Sequence, residues 1–186
     1  MELDNYKNEY NSLAETLEYI YGSAEVIGLM MCRILDLDEQ SFPFAQAQGR
    51  AMQYINFIRD IQEDNRLGRR YLPLTPKHQT QDLHFETIQK RQQYFVQWLH
   101  NEIQRYFTWQ NEAEKGYQYI PRRYLIPIKT ASDLYQWTAR QIEAAPTVVY
   151  QHKVKPSLGI IGKKLIKKTF LIWIHNKYHA NTPKTP

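Results

Sequence analysis

One stretch limits the fold more than any other: Gln53-Tyr54-Ile55-Asn56-Phe57-Ile58-Arg59-Asp60-Ile61-Gln62-Glu63-Asp64. On a helix, Asn56, Asp60 and Asp64 stand at i, i+4 and i+8. Each step of four turns the chain by about 400°, so the three share one face, roughly 6 Å apart. Gln53 joins them one turn earlier, and Gly49 lies on the same side. Phe44, Ala47, Ala51, Ile55 and Ile58 fall on the opposite face and are expected to meet the core. An ordinary amphipathic helix would leave its acids in water. Here Phe57 and Ile61 lie beside the acids, and the stripe contains a glycine, which weakens a helix but admits a close neighbour. Together these predict a polar stripe that lines a buried pocket.

The rest of the chain is helical in pattern. Glycine is scarce, with 7 in 186 residues, and apolar residues recur at helical spacing in most windows. Helices are predicted at about 8–35, 43–67, 83–116, 131–150 and 159–178. Asp36-Leu37-Asp38 and Ser41-Phe42-Pro43 separate the first pair, and Gly68 with Pro73 and Pro76 stops the second. Pro121 and Pro127 bracket the loop before the fourth, and Lys155-Pro156-Ser157 opens the last. The expectation is an all-α fold over 1–157, followed by a basic helix and tail at 158–186.

Targeting signals are few. The longest apolar run, Phe170 to Ile174, is far too short to span a bilayer, and the first residues hold no apolar core of a signal peptide. Cys32 stands alone, so no intrachain disulfide forms and the cytoplasm is the expected compartment. The net charge of +5 hides a split: residues 1–120 carry 12 basic against 17 acidic side chains, and residues 121–186 carry 12 basic against only Asp133 and Glu143. Such a basic end suits phosphate or an anionic membrane surface, or is simply a solvated tail.

Carboxylates and an amide oxygen in a row are hard ligands of the kind Mg²⁺ takes from protein, with waters and substrate phosphates filling the rest. Arg66, Arg69 and Arg70 follow at once, around Gly68. Acids for Mg²⁺ beside guanidinium groups make a diphosphate site. Cations at a helix C-terminus also favour the helix dipole, a modest effect.

At these residues the chain resembles the squalene/phytoene synthase family. Tyr19-Ile20-Tyr21-Gly22-Ser23-Ala24-Glu25-Val26-Ile27-Gly28-Leu29-Met30-Met31 resembles the family's small-residue helix. Gln53, Asn56, Arg59, Asp60, Glu63 and Asp64 fall as in its second Asp-rich motif, with Gly68-Arg69-Arg70-Tyr71-Leu72-Pro73 as the turn after it. Tyr135 and Val148-Val149-Tyr150, with Lys153-Val154-Lys155-Pro156-Ser157, resemble its C-terminal helix and exit in the phytoene synthase version.

The resemblance implies an all-α isoprenoid-synthase fold and a head-to-head prenyltransferase. Such an enzyme joins two prenyl diphosphates through a cyclopropyl diphosphate to a C40 or C30 hydrocarbon. It implies Mg²⁺, with Mn²⁺ as a substitute, on Asn56, Asp60 and Asp64. It implies diphosphate or carbocation contacts from Gln53, Arg59, Arg69, Arg70, Tyr71 and Tyr135, with Tyr19 lining the cavity. Lys153, just after the Tyr135 helix, is expected to reach a diphosphate. No nucleotide fingerprint is present, which fits phytoene synthesis, and no nucleotide cofactor is expected.

One family element has no counterpart. Asp4, Asp36 and Asp38 are followed at four residues by Asn8, Gln40 and Phe42, so none begins a second D-x-x-x-D. Met1-Glu2-Leu3-Asp4 resembles an internal stretch of the family pattern. The first metal motif is therefore expected to be missing, through truncation, a mis-set start or a separate N-terminal half. Half a cavity would expose apolar surface and call for a partner chain.

Lys163, Lys164, Lys167 and Lys168 share one helical face, and Ile161, Leu165, Ile166, Phe170 and Trp173 gather on another. That pattern suits a helix lying in a membrane interface, and equally a closing helix of the domain. Two rival readings stand beside the enzyme: a non-catalytic module that binds a diphosphate or another synthase half, and a nucleic-acid binder. The acidic first two thirds and the absence of a helix-turn-helix or zinc pattern argue against nucleic acid.

Overall fold

The computed structural model describes residues 7–74 and 82–162. Ser12 starts the first helix, α1 (Leu13–Ile20), by accepting from the Glu15 backbone N–H at 3.2 Å. The helix widens into a π-helical segment at Tyr21–Glu25 and resumes as α2 (Val26–Ile34). Within the widened segment Glu25 is only 2% exposed, and its carboxylate pairs with Arg50 at 2.6 Å.

The central helix is α3 (Phe42–Arg59), continued by α4 (Ile61–Arg66). After them come α5 (Phe85–Lys90), α6 (Gln92–Glu114) and α7 (Arg122–Ala144), with 3₁₀ turns at Lys115–Tyr119 and Pro146–Tyr150. Helix α3 packs on α6 over its length, and also meets α2 and α7. The core lies between α3 and α6: Tyr54, Ile55 and Ile58 face Phe95, Trp98, Leu99, Ile103 and Tyr106. Two glycines let the first helix and α3 touch backbone to backbone. A Cβ on Gly28 would lie 2.4 Å from the Ala45 carbonyl oxygen, and one on Gly49 2.5 Å from that of Ala24. The glycine that looked out of place in the polar stripe is thus the seat of a helix crossing.

The all-α expectation holds: among the described residues there is no strand, and one isolated bridge joins Glu9 to Arg70. Several boundaries differ. Residues 8–11 are extended rather than helical, because Tyr10 N–H donates to the Arg70 carbonyl at 3.0 Å and Arg70 N–H to that of Asn8 at 2.7 Å. The predicted helix 43–67 breaks at Asp60 (φ −99°, ψ 11°), and the predicted helix 83–116 breaks at Arg91 (φ −133°).

The largest correction concerns Pro127. It does not bracket a loop but sits inside α7, which Pro121 begins by accepting from Tyr124 and Leu125 at 2.9 and 3.0 Å. Proline six positions into a helix removes the bond to Arg123 and strains that turn. Packing of α7 against α3 and α6 outweighs the local preference. Phe44, expected on the core face, is half-buried and stacks on Tyr119 with centroids 5.8 Å apart.

Helical backbone is present at 158–162. The remainder of the predicted 159–178 helix, with its lysine face, lies outside the described residues. Among the described residues no helix is long and apolar enough to cross a membrane.

Candidate functional site

An apolar cavity of about 510 Å³ opens between the first helix, α3 and α7. Its walls are mostly hydrocarbon: Ala24, Ile27, Gly28 and Met31 from the first helix, Phe44, Ala45, Gly49 and Met52 from α3, and Pro127, Ile128 and Ala131 from α7. Gln53, Asn56 and Tyr135 also line it, so the structure brings these three expected site residues together. The Asn56 Oδ1 is buried without a hydrogen-bond partner. An orphaned amide oxygen facing an apolar space costs about 1–3 kcal/mol unless something binds it.

Below Asn56 the stripe divides. Asp60 lies in a separate polar cleft lined by Arg59, Glu63, Arg66 and residues 149–153. Its carboxylate accepts from Arg59 through Nε at 2.9 Å and Nη2 at 2.6 Å. The Lys153 Nζ adds a third contact at 3.0 Å and also reaches Glu63 at 2.6 Å. Asp64 borders a narrow recess with Phe57, Asn65, Arg69, Arg70 and Tyr71. The break at Asp60, where α3 gives way to α4, lies at the centre of this spread.

The two carboxylates are in opposite electrostatic states. Burial works against ionising Asp60, but the hydrogen bonds from Arg59 and Lys153 outweigh it and hold the group below its usual range. Asp64 is pushed up to about 7, first by burial and then by the charges of Asp60 and Glu63. Burial likewise pushes the Tyr117 phenol, at the cavity wall, up to about 12.

Tyr19, Tyr71, Arg70 and Arg59 lie outside the lining of the apolar cavity and are engaged by the chain itself. Tyr19 does not line the cavity: it belongs to an aromatic cluster with Tyr10, Phe57 and Tyr71. Tyr71 stacks on Phe57 with centroids 4.4 Å apart, and both rings are buried. The Arg70 guanidinium is engaged by the chain itself: it donates to the carbonyls of Tyr10 and Leu72 at 2.8 and 3.0 Å, and to Glu9 and Asn11 at 3.0 and 2.8 Å. Arg59 spends its fork on Asp60.

Sequence reasoning missed a polar layer behind the cavity. Gln48 accepts from Ser132 at 3.0 Å and donates to Gln110 at 3.3 Å, and Glu114 accepts from Gln136 at 2.6 Å. Its one sequence signal was Gln48 itself, two helical turns before Asn56 on the same face.

Asn56 and Asp64 carry hard oxygen donors of the kind a divalent cation takes. Asn56 offers an unpartnered oxygen, and Asp64 makes no ion pair among the described residues. Also among the described residues, no three His, Cys, Asp or Glu side chains converge as a complete metal set. An ion held by so few side chains would take its remaining ligands from water or phosphate oxygens.

The fold is that of known synthases. It matches the squalene synthase HpnC from Alicyclobacillus acidocaldarius with a TM-score of 0.64 at 22% identity, covering 82% of this chain and 57% of that one. It matches a ligand-bound dehydrosqualene synthase with a TM-score of 0.70 at 20% identity, covering 91% and 60%. Residues 1–159 match the family described as squalene/phytoene synthase, and the chain belongs to that family. Among curated relatives, the chloroplastic phytoene synthase of an Oncidium hybrid cultivar is 30% identical over 155 residues. That alignment covers 77% of this chain but 37% of the relative.

Proposed function

We propose that this chain carries the diphosphate- and metal-holding part of a head-to-head prenyltransferase, one that condenses two geranylgeranyl diphosphates to phytoene. The observation that carries the reading is Asn56: its buried, unpartnered Oδ1 lines an apolar cavity one helical turn from Asp60. Asn56, Asp60 and Asp64 would hold Mg²⁺ or Mn²⁺, and Arg69 would face the diphosphate. Bound Mg²⁺ would act as a Lewis acid on the departing diphosphate. Ile27, Met31, Met52 and Ile128 would give the prenyl chain an apolar wall. Tyr135, Tyr117 and Phe44 offer aromatic faces to the cationic carbon. The C40 product, rather than C30, is favoured by Val154-Lys155-Pro156-Ser157, which resembles the phytoene synthase version.

The test is Mn²⁺-dependent binding of pyrophosphate, followed by turnover. Asp60→Ala and Asn56→Ala should each abolish the metal-dependent binding. Retention of wild-type binding in both would sink the site. Product analysis with geranylgeranyl and farnesyl diphosphates then separates C40 from C30 chemistry.

A second reading, a module that works only beside another synthase half, is favoured by one feature of α2. Ile27, Met30, Met31 and Ile34 stand at i, i+3, i+4 and i+7 and are all about half exposed or more. Ile27 and Met31 also line the cavity, so a helix covering this face would close it. Geranylgeranyl diphosphate turnover by this chain alone would remove that reading. The basic 158–186 segment is proposed as a membrane-surface contact, and liposome pelleting with and without it decides.

A further inference from the structure

Lys153 lies 93 positions from Asp60 in sequence, yet its ammonium sits 3.0 Å from the Asp60 carboxylate and 2.6 Å from that of Glu63. Its backbone is pinned on both sides. Tyr150 is buried and donates to the Leu83 carbonyl at 2.8 Å, and Val154 is 5% exposed. The arm between them is partly open to water: the Lys153 side chain is 34% exposed, and an ammonium is readily rehydrated. Arg59 differs. Its side chain is 19% exposed, and its fork grips both Asp60 oxygens.

We propose that Lys153 is a tethered counter-cation for the metal site, holding Asp60 and Glu63 while no divalent ion is bound and giving way when one enters. This rests on the reading of Asn56, Asp60 and Asp64 as the metal donors. The Asp60 and Glu63 carboxylates share one ammonium, and two carboxylates held so close together call for positive charge beside them. Arg59 alone neutralises one of them. Lys153 supplies the second charge from the far end of the domain and occupies a direction on Asp60 that an entering cation needs. The exchange is of side chain only, since Tyr150 and Val154 fix the backbone. It keeps the empty site folded and preformed, and it sets metal affinity by competition. It also gives the lysine a place to go: an ammonium released beside Arg59 and Arg66 is available to an incoming phosphate group.

The experiment uses the full chain and Mn²⁺ alone. Isothermal titration compares wild type, Lys153→Gln and Lys153→Arg. Lys153→Gln should bind Mn²⁺ about fivefold more tightly, the scale of one partly exposed ion pair. Lys153→Arg, which keeps the competing charge, should stay near wild type. In parallel, acylation of wild-type lysines is followed by mass spectrometry. Lys153 should be protected without metal and become reactive when Mn²⁺ is added, while Lys129 stays unchanged. Equal Mn²⁺ affinity in wild type and Lys153→Gln, or Lys153 reactivity that Mn²⁺ does not move, overturns the proposal and leaves the metal site standing. No Mn²⁺ binding by either protein overturns the metal site and the counter-cation with it.

Discussion

Phe57 and Tyr71 lie ring on ring, with centroids 4.4 Å apart and planes 4° from parallel. The stack joins the last turn of α3 to the segment after Gly68, so it fixes the distance between Asn56 and the arginine turn. Tyr19 and Tyr10 close around the same ring at 5.0 and 5.4 Å. Tyr71 is thus first a packing residue. Tyr71→Ala should destabilise the protein by about 3 kcal/mol, as loss of a buried aromatic does. Tyr71→Phe, which keeps the ring, should cost far less. Urea denaturation of the two variants checks this; equal losses would mean the hydroxyl, not the ring, holds the segment.

Gly49 predicts an inverted helix effect. Replacing glycine by alanine inside a helix normally gains about 1 kcal/mol. Here the new Cβ would lie 2.5 Å from the Ala24 carbonyl oxygen, a backbone atom that cannot swing aside. Gly49→Ala should therefore lose about 1–3 kcal/mol, the usual range for overpacking. A rise in Tm for this variant would show that the crossing relaxes freely.

How far the sequence carried the fold is clearest at α3. Its apolar positions Ala47, Ala51, Ile55 and Ile58 and its polar Asn56 were legible because periodicity is local, and the structure buries those four apolar side chains. Pro127 was misread for the opposite reason. Its local rule breaks helices, and only contacts from α3 and α6 keep it in one. The aromatic residues show a third limit. Tyr19 and Tyr71 stand in matching motifs, but spacing does not say which rings pack on each other and which face a cavity. Lys153 was picked out for a diphosphate, whereas its partners Asp60 and Glu63 could not be read at all. Pairs 93 and 90 residues apart leave no trace in any window.

Asp64 makes stability depend on pH in a defined direction. Its carboxyl rises from 3.8 to about 7 on folding, so the folded chain holds this proton more tightly than the unfolded one. The favourable contribution is complete below about 4 and is lost as pH rises through 7. A shift of this size equals about 4 kcal/mol at 1.36 per unit, and solvent screening of a partly exposed group reduces it to about 2. Asp64→Asn removes the ionisation. In metal-free buffer it should match wild type at about pH 3.5 and exceed it by about 2 kcal/mol at pH 8. Mn²⁺ should reverse the order at pH 8, because only the carboxylate binds the ion. Parallel pH curves for the two proteins would show that Asp64 is not burdened by its surroundings.

Arg69 and Arg70 are adjacent in sequence and should separate cleanly in experiment. Arg70 donates four hydrogen bonds, three that tie the extended residues 8–11 to the turn (Tyr10 carbonyl, Glu9 and Asn11 side chains) and one to the Leu72 carbonyl within it, and its side chain is 13% exposed beside Glu9. Arg70→Ala leaves those acceptors unpaired and should lower stability by about 2–3 kcal/mol, at the charged-group end of hydrogen-bond costs. Arg69 borders the recess beside Asp64, with its backbone held by the Asp64 carbonyl at 2.8 Å. Arg69→Ala should leave the urea midpoint almost unchanged and weaken Mn²⁺-dependent pyrophosphate binding about tenfold, the scale of one charge-assisted contact. Conservative Arg70→Lys should recover little, because one ammonium cannot reproduce a fork that spans two carbonyls and two side chains. If Arg70→Ala instead spared stability and abolished pyrophosphate binding, the guanidinium would have to leave Tyr10 and Leu72 to reach the ligand, and the turn after Gly68 would be a moving part of the site.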